Sequence, residues 1–404
     1  MATLFLLIIY LSFISLGLPD SLLGAAWPVM RPELQAPFSA AGTLSIIIAA
    51  GTIVSSLASG TVLRLLGTGK VTLISCIMTA ASLLGFYYAP SFIWLMVLAL
   101  PLGLGAGTVD AGLNQYVAIH YKAHHMSWLH CFWGVGATLG PVIMSGFMSG
   151  QGSWRSGYLA VALIQFALVV ILFATLPLWK RMEKRHSEAL TEPRLEAKLE
   201  EKPLPEQGQG GKLLSMKGVK LTLMTFLFYC GAEATVGLWG SSFLVKVDGL
   251  SAATAAQWVS IYYGGITIGR FITGFVTLRF SNAVLIRTGL LVSLAGALLL
   301  LLPLPAPGSL IGFMLIGLGL APIYPCMLQE TPARFGKMQT ERLMGYQMAV
   351  AYTGATLLPP MLGWIASGAS MAVMPYFVTA YVVLMLFGSE KVNRIMKQKA
   401  KTIA

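Results

Sequence analysis

Three carboxylates in this chain stand where carboxylates are costly. Asp20 in "LGLPDSLLGAAWP", Asp110 in "GAGTVDAGLNQYV" and Glu233 in "YCGAEATVGLW" each lie inside an apolar stretch long enough to cross a bilayer. An ionised side chain near the bilayer centre costs at least about 2.5–3.5 kcal/mol, so one that persists faces a water-filled cavity or a partner. Facing a cavity, it has useful chemistry. Ionised, a carboxyl only accepts hydrogen bonds; protonated, it also donates. A group that meets water first on one side and then on the other can load and release a proton, and its grip on a hydroxylated solute changes with each step. Asp20, Asp110 and Glu233 are therefore the candidates for proton coupling. The alternative is that they satisfy Ser, Thr or backbone groups inside a packed bundle.

Polar and aromatic neighbours extend the pattern. Asn114 follows Asp110 by four residues and shares its helical face. His130 and Trp133 in "SWLHCFWGVGA" form an i, i+3 pair, and Trp239, Tyr262, Tyr324, Gln347 and Tyr352 occupy further apolar stretches. Small-molecule sites combine apolar faces with a few placed polar groups. A sugar ring, with hydroxyls on its rim and C–H groups on its faces, matches that mixture. The candidate substrate contacts are Asp110, Asn114, His130, Trp133, Trp239, Tyr262, Tyr324, Gln347 and Tyr352, each aromatic having lipid or helix packing as its ordinary alternative. Arg270 in "GITIGRFITG" is the one basic residue deep in an apolar stretch, and it needs an anion. Pairing with Glu233 would make a structural or gating ion pair and remove Glu233 from proton transfer; both readings stand at this stage.

Other chemistry finds little support. His120, His124, His125 and His130 cluster, but a solvated turn beside Lys122 accounts for two of them. The four cysteines, Cys76, Cys131, Cys230 and Cys326, all fall in apolar stretches, as small buried hydrophobes do. Nucleotide loops, paired-cysteine motifs and nucleophile elbows are missing from the sequence. No enzyme activity, cofactor or metal is expected.

The elements that must position these residues follow from composition. Hydrophobic residues make up 56% of the 404, charged ones 10%, against a soluble average of about 25% charged. At about 20 apolar residues per crossing, the chain reads as an all-α integral membrane protein. Its twelve spans are 4–29, 40–63, 71–89, 92–118, 127–149, 155–178, 219–245, 253–278, 283–303, 308–331, 341–366 and 371–388. "MATLFLLIIYLSF" lacks the basic start and cleavage site of a signal peptide and is retained as span 1. The formal charge of +12 is a topology signal. The loops after spans 2, 4, 6, 8 and 10 and the tail "EKVNRIMKQKAK" hold 23 of the 27 Lys and Arg; the opposite loops hold Arg31, Arg155 and Lys246. By the positive-inside rule both termini are cytoplasmic, and no nucleic-acid partner is expected.

The charged stretch 180–217 divides the chain into a bundle at 1–179 and a second at 218–404 with a basic tail. It reads as a solvated, partly helical cytoplasmic linker. The bundles repeat each other. "GATLGP" at 136–141 returns as "GATLLP" at 354–359; at an offset of 214, Gly51, Gly60, Gly103 and Gly105 map onto Gly265, Gly274, Gly317 and Gly319; near it, "DSLLG" at 20–24 maps onto "EATVG" at 233–237.

A parallel six-plus-six duplication with a charged middle loop resembles the major facilitator transporters. "GTVLRLLGTGK" at 60–70 is similar to that superfamily's loop 2–3 signature, with Arg64 and Leu65 where Asp-Arg is usual. The strings around Asp20, Asp110 and Glu233, with "GLGLAPIYP" in span 10, resemble the fucose permease-like branch of sugar–proton symporters. That resemblance implies a cavity lined by spans 1, 4, 7 and 10, with Asp20 and Asp110 tied to proton coupling and sugar binding. Three departures stand out: Asp110 is often Glu, Gly17 replaces an Asn three residues before the acid, and His130 and Trp133 replace amides. The expected protein is a monomeric, proton-coupled importer of a monosaccharide or similar polyhydroxylated solute, working by alternating access in a bacterial plasma membrane. A proton-coupled drug or metabolite antiporter, suggested by "GATLGP", a sugar uniporter, and a sensor or membrane enzyme are the rivals.

Overall fold

A backbone in hydrocarbon must satisfy its own N–H and C=O groups, and a helix does so within one segment. In the computed structural model, which describes residues 2–121, 123–150, 152–191 and 213–403, all twelve predicted spans are helical. Span 1 is built from α1 (Ala2–Asp20) and α2 (Leu22–Glu33). Spans 2 to 6 are α3 (Ala40–Leu66), α4 (Thr68–Tyr87), α5 (Phe92–His120), α6 (Ala123–Met148) and α7 (Trp154–Thr191). Spans 7 to 9 are α8 (Val219–Lys246), α9 (Ala252–Val276) and α10 (Asn282–Leu299). Span 10 is α11 (Ala306–Leu320) with α12 (Ile323–Phe335), span 11 is α13 (Lys337–Gly368), and span 12 is α14 (Met374–Ile403). Among the described residues, eleven helical stretches are long and apolar enough to cross a membrane. The twelfth, α9, has the length but carries Gln257, Tyr262, Tyr263, Thr267 and Arg270, which dilute its hydropathy.

Two spans expected to be continuous are interrupted, and both interruptions fall beside candidate site residues. Pro19 has no N–H to give the Ser15 carbonyl, and Pro322 none for that of Leu318. Span 1 is interrupted at Ser21, directly after Asp20, and span 10 at Ala321 and Pro322, two residues before Tyr324. At Ser21, Ala321 and Pro322 the backbone keeps helical dihedrals, so each interruption is a kink with lost helix hydrogen bonds and not an unwound segment. Two other ends run longer than expected. The apolar part of α7 ends near 178 and that of α14 near 388, but both helices continue to Thr191 and Ile403 through Lys- and Glu-rich sequence with good helix propensity. The first part of the 180–217 segment is thus helical; residues 192–212 lie outside the described residues.

The duplication is visible in the contacts. A Cβ on Gly103 of span 4 would collide with the Ile48 carbonyl of span 2, and one on Gly317 of span 10 with the Tyr262 carbonyl of span 8. Gly51 lies against the Leu100 carbonyl and Gly265 against that of Met314. Every partner in these four contacts is displaced by the same 214 residues. Small residues let helix backbones approach where the solvent offers no hydrophobic drive between them.

Span 5 packs on span 8, span 2 on span 11, and α2 on span 7, joining the first six spans to the last six. At the loop 1–2 end these halves share one hydrophobic core, running from Trp27 and Trp154 to Trp239 and Phe243. Phe38 stacks on Trp239 with ring centroids 5.0 Å apart, and Gly24 leaves no space before the Gly237 carbonyl. Toward the termini the cores part: one gathers Phe5, Tyr116 and Trp179 of the first half, another Leu213, Phe335 and Leu343 of the second. The halves are therefore sealed together at one end and packed separately at the other.

Candidate functional site

Between the shared core and the parting of the halves lie the sequence-predicted acids. Asp20 ends α1, directly before the interruption at Ser21. Its side chain is exposed to the space between the halves, and the Trp133 indole N–H of span 5 donates to Oδ2 at 2.8 Å. Gly17 explains how span 5 comes so near. A Cβ at position 17 would strike the Trp133 carbonyl, and Gly136 packs likewise on the Ile14 carbonyl. The Asn implied by the family resemblance has no room here, because spans 1 and 5 meet backbone to backbone.

Asp110 is half-buried on α5, with its Oδ1 accepting from Asn114 Nδ2 at 2.9 Å; the same amide donates to the Asp110 carbonyl at 3.0 Å. Asn114 thus orients the acid from one turn below it. The Tyr352 hydroxyl of span 11 approaches Asp110 and Ser56, closing the site from the opposite half. Asp110 is also within electrostatic reach of Asp20 and of Tyr324. Tyr324 packs its ring 5.7 Å from that of Tyr229, and its hydroxyl meets Met348 Sδ at 3.2 Å.

Arg270 finds the anion expected for it. Its Nη2 lies 3.3 Å from Glu233 Oε1 and donates to the Tyr229 hydroxyl at 3.2 Å, with both charged side chains largely buried. Pairing inside a low-dielectric wall stabilises both charges against desolvation. Of the two readings of Glu233, the geometry gives it a cation partner, while among the described residues no cation pairs with Asp20 or Asp110. Tyr262 donates its hydroxyl to the Glu233 carbonyl at 3.1 Å and is fully buried behind it. His130 sits edge-on to Phe13, centroids 6.0 Å apart, and near enough to Arg270 to feel its charge.

Two expected substrate contacts lie elsewhere. Trp239 is buried in the sealed end, its indole donating to the Pro359 carbonyl at 2.7 Å. Gln347 is buried between spans 10 and 11, where its amide nitrogen donates to Thr331 Oγ1 at 2.9 Å. Neither joins the acids. Tyr229 was not singled out from the sequence, although its place four residues before Glu233 on the same helical face signalled it. Thr267, which meets Thr138 across the halves at 3.4 Å, stands three residues before Arg270 and carried the same clue. Among the described residues no cluster of His, Cys, Asp and Glu could hold a metal, and all four cysteines are free.

Two repeated six-span halves with acids, one ion pair and aromatic side chains gathered where they meet have the architecture of a membrane transporter. The chain belongs to the Major Facilitator Superfamily, whose family model matches residues 9–359. It is 25% identical over 333 residues to the glucose/mannose transporter GlcP of Bacillus subtilis (strain 168), covering 80% of this chain and 78% of that protein. To the uncharacterized transporter y4wD of Sinorhizobium fredii it is 22% identical, covering 73% and 74%. The fold matches the xylose transporter XylE from E. coli in a partially occluded inward open conformation, with a TM-score of 0.73 at 14% identity over 95% of this chain and 97% of that one. It also matches a bacterial homolog of the human lysosomal transporter Spinster, inward-facing and occupied, with a TM-score of 0.69 at 13% identity over 98% and 97%. The protein is an integral membrane transporter, and its family is not one of enzymes.

Proposed function

We propose that this transporter imports a monosaccharide together with protons. The observation that carries the reading is the pair of acids on the first half with no cation paired to them among the described residues: Asp20 at a helix kink, open to the cleft and held by Trp133, and Asp110 oriented by Asn114 and faced by Tyr352. A proton loaded onto either acid turns an acceptor into a donor for a sugar hydroxyl, while Trp133, Tyr324 and Tyr352 offer aromatic faces to its C–H groups. The name of the relative from Bacillus subtilis, a glucose/mannose transporter, favours a hexose. Alternating access would rock residues 1–179 against 218–404 about this cleft, with 180–217 as a cytoplasmic linker, both termini in the cytoplasm and the protein acting as a monomer. The distribution of Lys and Arg supports that orientation, which makes the shared-core end extracellular.

The test is an external pH recording on de-energised vesicles in light buffer, with hexoses, deoxyhexoses and cationic drugs added in turn. Symport predicts alkalinisation of the medium with one sugar class and none in vesicles lacking the protein. Proton movement with a drug and none with any sugar would replace this reading with antiport. Tracer counterflow of a hexose without proton movement would make the protein a uniporter.

A further inference from the structure

Asp20 and the Arg270–Glu233 pair lie on different halves, yet one side chain touches both. Trp133 donates its indole N–H to Asp20 at 2.8 Å, and its ring lies beneath the Arg270 guanidinium, 5.6 Å from carbon to centroid. Span 5 carries Trp133 to this position at the crossing with span 8. There Gly134 leaves no gap before the Thr267 hydroxyl, Thr138 meets Thr267 at 3.4 Å, and the Tyr263 ring stands 6.5 Å from that of Trp133. The indole is thus pinned from both halves, with its N–H edge on one charge and its face on the other.

Building on the proton-coupled reading of Asp20, we propose that Trp133 is a positioning residue through which the charge of Asp20 in the first half sets the placement of the Arg270–Glu233 pair in the second. An indole N–H can only donate. Toward an ionised carboxylate it makes a charge-assisted bond, about twice as strong as toward a neutral group. A proton arriving at Asp20 weakens that bond and frees the indole. A guanidinium over an aromatic ring depends on the ring's orientation, so movement of Trp133 alters what holds Arg270 against Glu233. The other titratable groups facing Asp20 are Asp110 and Tyr263; those within electrostatic reach of Arg270 besides Glu233 are Tyr229, Tyr262, Tyr324, His130, Cys131 and Cys230. Asp110 also meets the opposite half through Tyr352, but among the described residues Trp133 is the side chain placed against both Asp20 and Arg270. The arrangement gives proton loading a direct mechanical consequence across the interface that must rearrange.

The experiment reads the indole itself. Tryptophan fluorescence of the purified full-length protein is recorded against pH for wild type and Trp133→Phe, and the difference isolates Trp133. The difference signal should titrate, lose that titration in Asp20→Asn, and change amplitude in Arg270→Lys, which keeps the charge but not the planar cation. A flat difference signal, or one that titrates unchanged in Asp20→Asn, overturns the proposal. In vesicles, the pH profile of counterflow in Trp133→Phe, normalised to its own maximum, should move by about one pH unit toward higher pH, because the ionised form alone has lost its donor. A superimposable profile contradicts it. Proton-driven accumulation that survives Asp20→Asn would instead remove the underlying reading of Asp20, whatever the fluorescence shows.

Discussion

The two halves of this transporter are alike in how their helices touch and unlike in what those helices carry. The contacts of Gly103 and Gly51 in the first half are reproduced by Gly317 and Gly265 in the second, 214 residues on, down to the partner carbonyl. The charges are not reproduced. Asp110 corresponds to Tyr324, and Arg270 corresponds to Ser56, a hydroxyl that donates to the Gly107 carbonyl. The Asp20 position holds Glu233 in the second half, where Arg270 neutralises it. Packing is therefore the duplicated property, and chemistry was laid over it separately. Among the described residues the first half presents acids without a cation, and the second presents a neutralised pair.

Breaking that neutral pair should have the largest effect. Arg270→Leu strands the Glu233 carboxylate in the wall, a loss of about 3–5 kcal/mol for a buried pair cut on one side. The melting temperature should drop steeply, and Arg270→Leu combined with Glu233→Gln should recover most of it. A single variant as stable as wild type would show that the pair is solvated and that Glu233 is free for proton work.

The acids of the first half should behave oppositely. Asp110→Asn is expected to fold with near-normal stability and to lose pH-gradient-driven accumulation, as measured with labelled hexose in energised vesicles. Retained accumulation would move the coupling role out of the first half. At Gly17 the packing itself is tested. Ala there must push span 5 from span 1, an overpacking loss of about 1–3 kcal/mol, and it should shift the Asp20 environment through Trp133. The smallest effect belongs to Gln347→Leu, which removes a buried hydrogen bond to Thr331 for about 1 kcal/mol and should leave substrate KM unchanged. A raised KM would return Gln347 to the binding site.

The acids were legible because a carboxylate in an apolar stretch has few ordinary explanations. The pairing of Glu233 with Arg270 was one of two open readings, since hydropathy says nothing about which faces meet. The helix kinks at Ser21 and at Ala321–Pro322 were missed: the prolines were in view, but a proline in a membrane helix does not always interrupt it, and only neighbouring helices decide. Trp239 and Phe38 show the same limit from the other side. The composition of Trp239 suits a sugar face, yet its position seals the end where the two cores merge. The repeat was readable from the recurring strings together with glycine spacing; at Gly51, Gly103 and their counterparts close backbone contact leaves room for no other residue, whereas Gly60 and Gly274 have open space around them.

The most direct test of the account is the proton-to-sugar ratio, taken from the pH gradient that just halts net hexose flux, in wild type, Asp110→Asn and Glu233→Gln. The account predicts a finite ratio in wild type, none in Asp110→Asn, and a wild-type ratio in Glu233→Gln wherever that variant folds. A ratio abolished by Glu233→Gln and untouched by Asp110→Asn would contradict it.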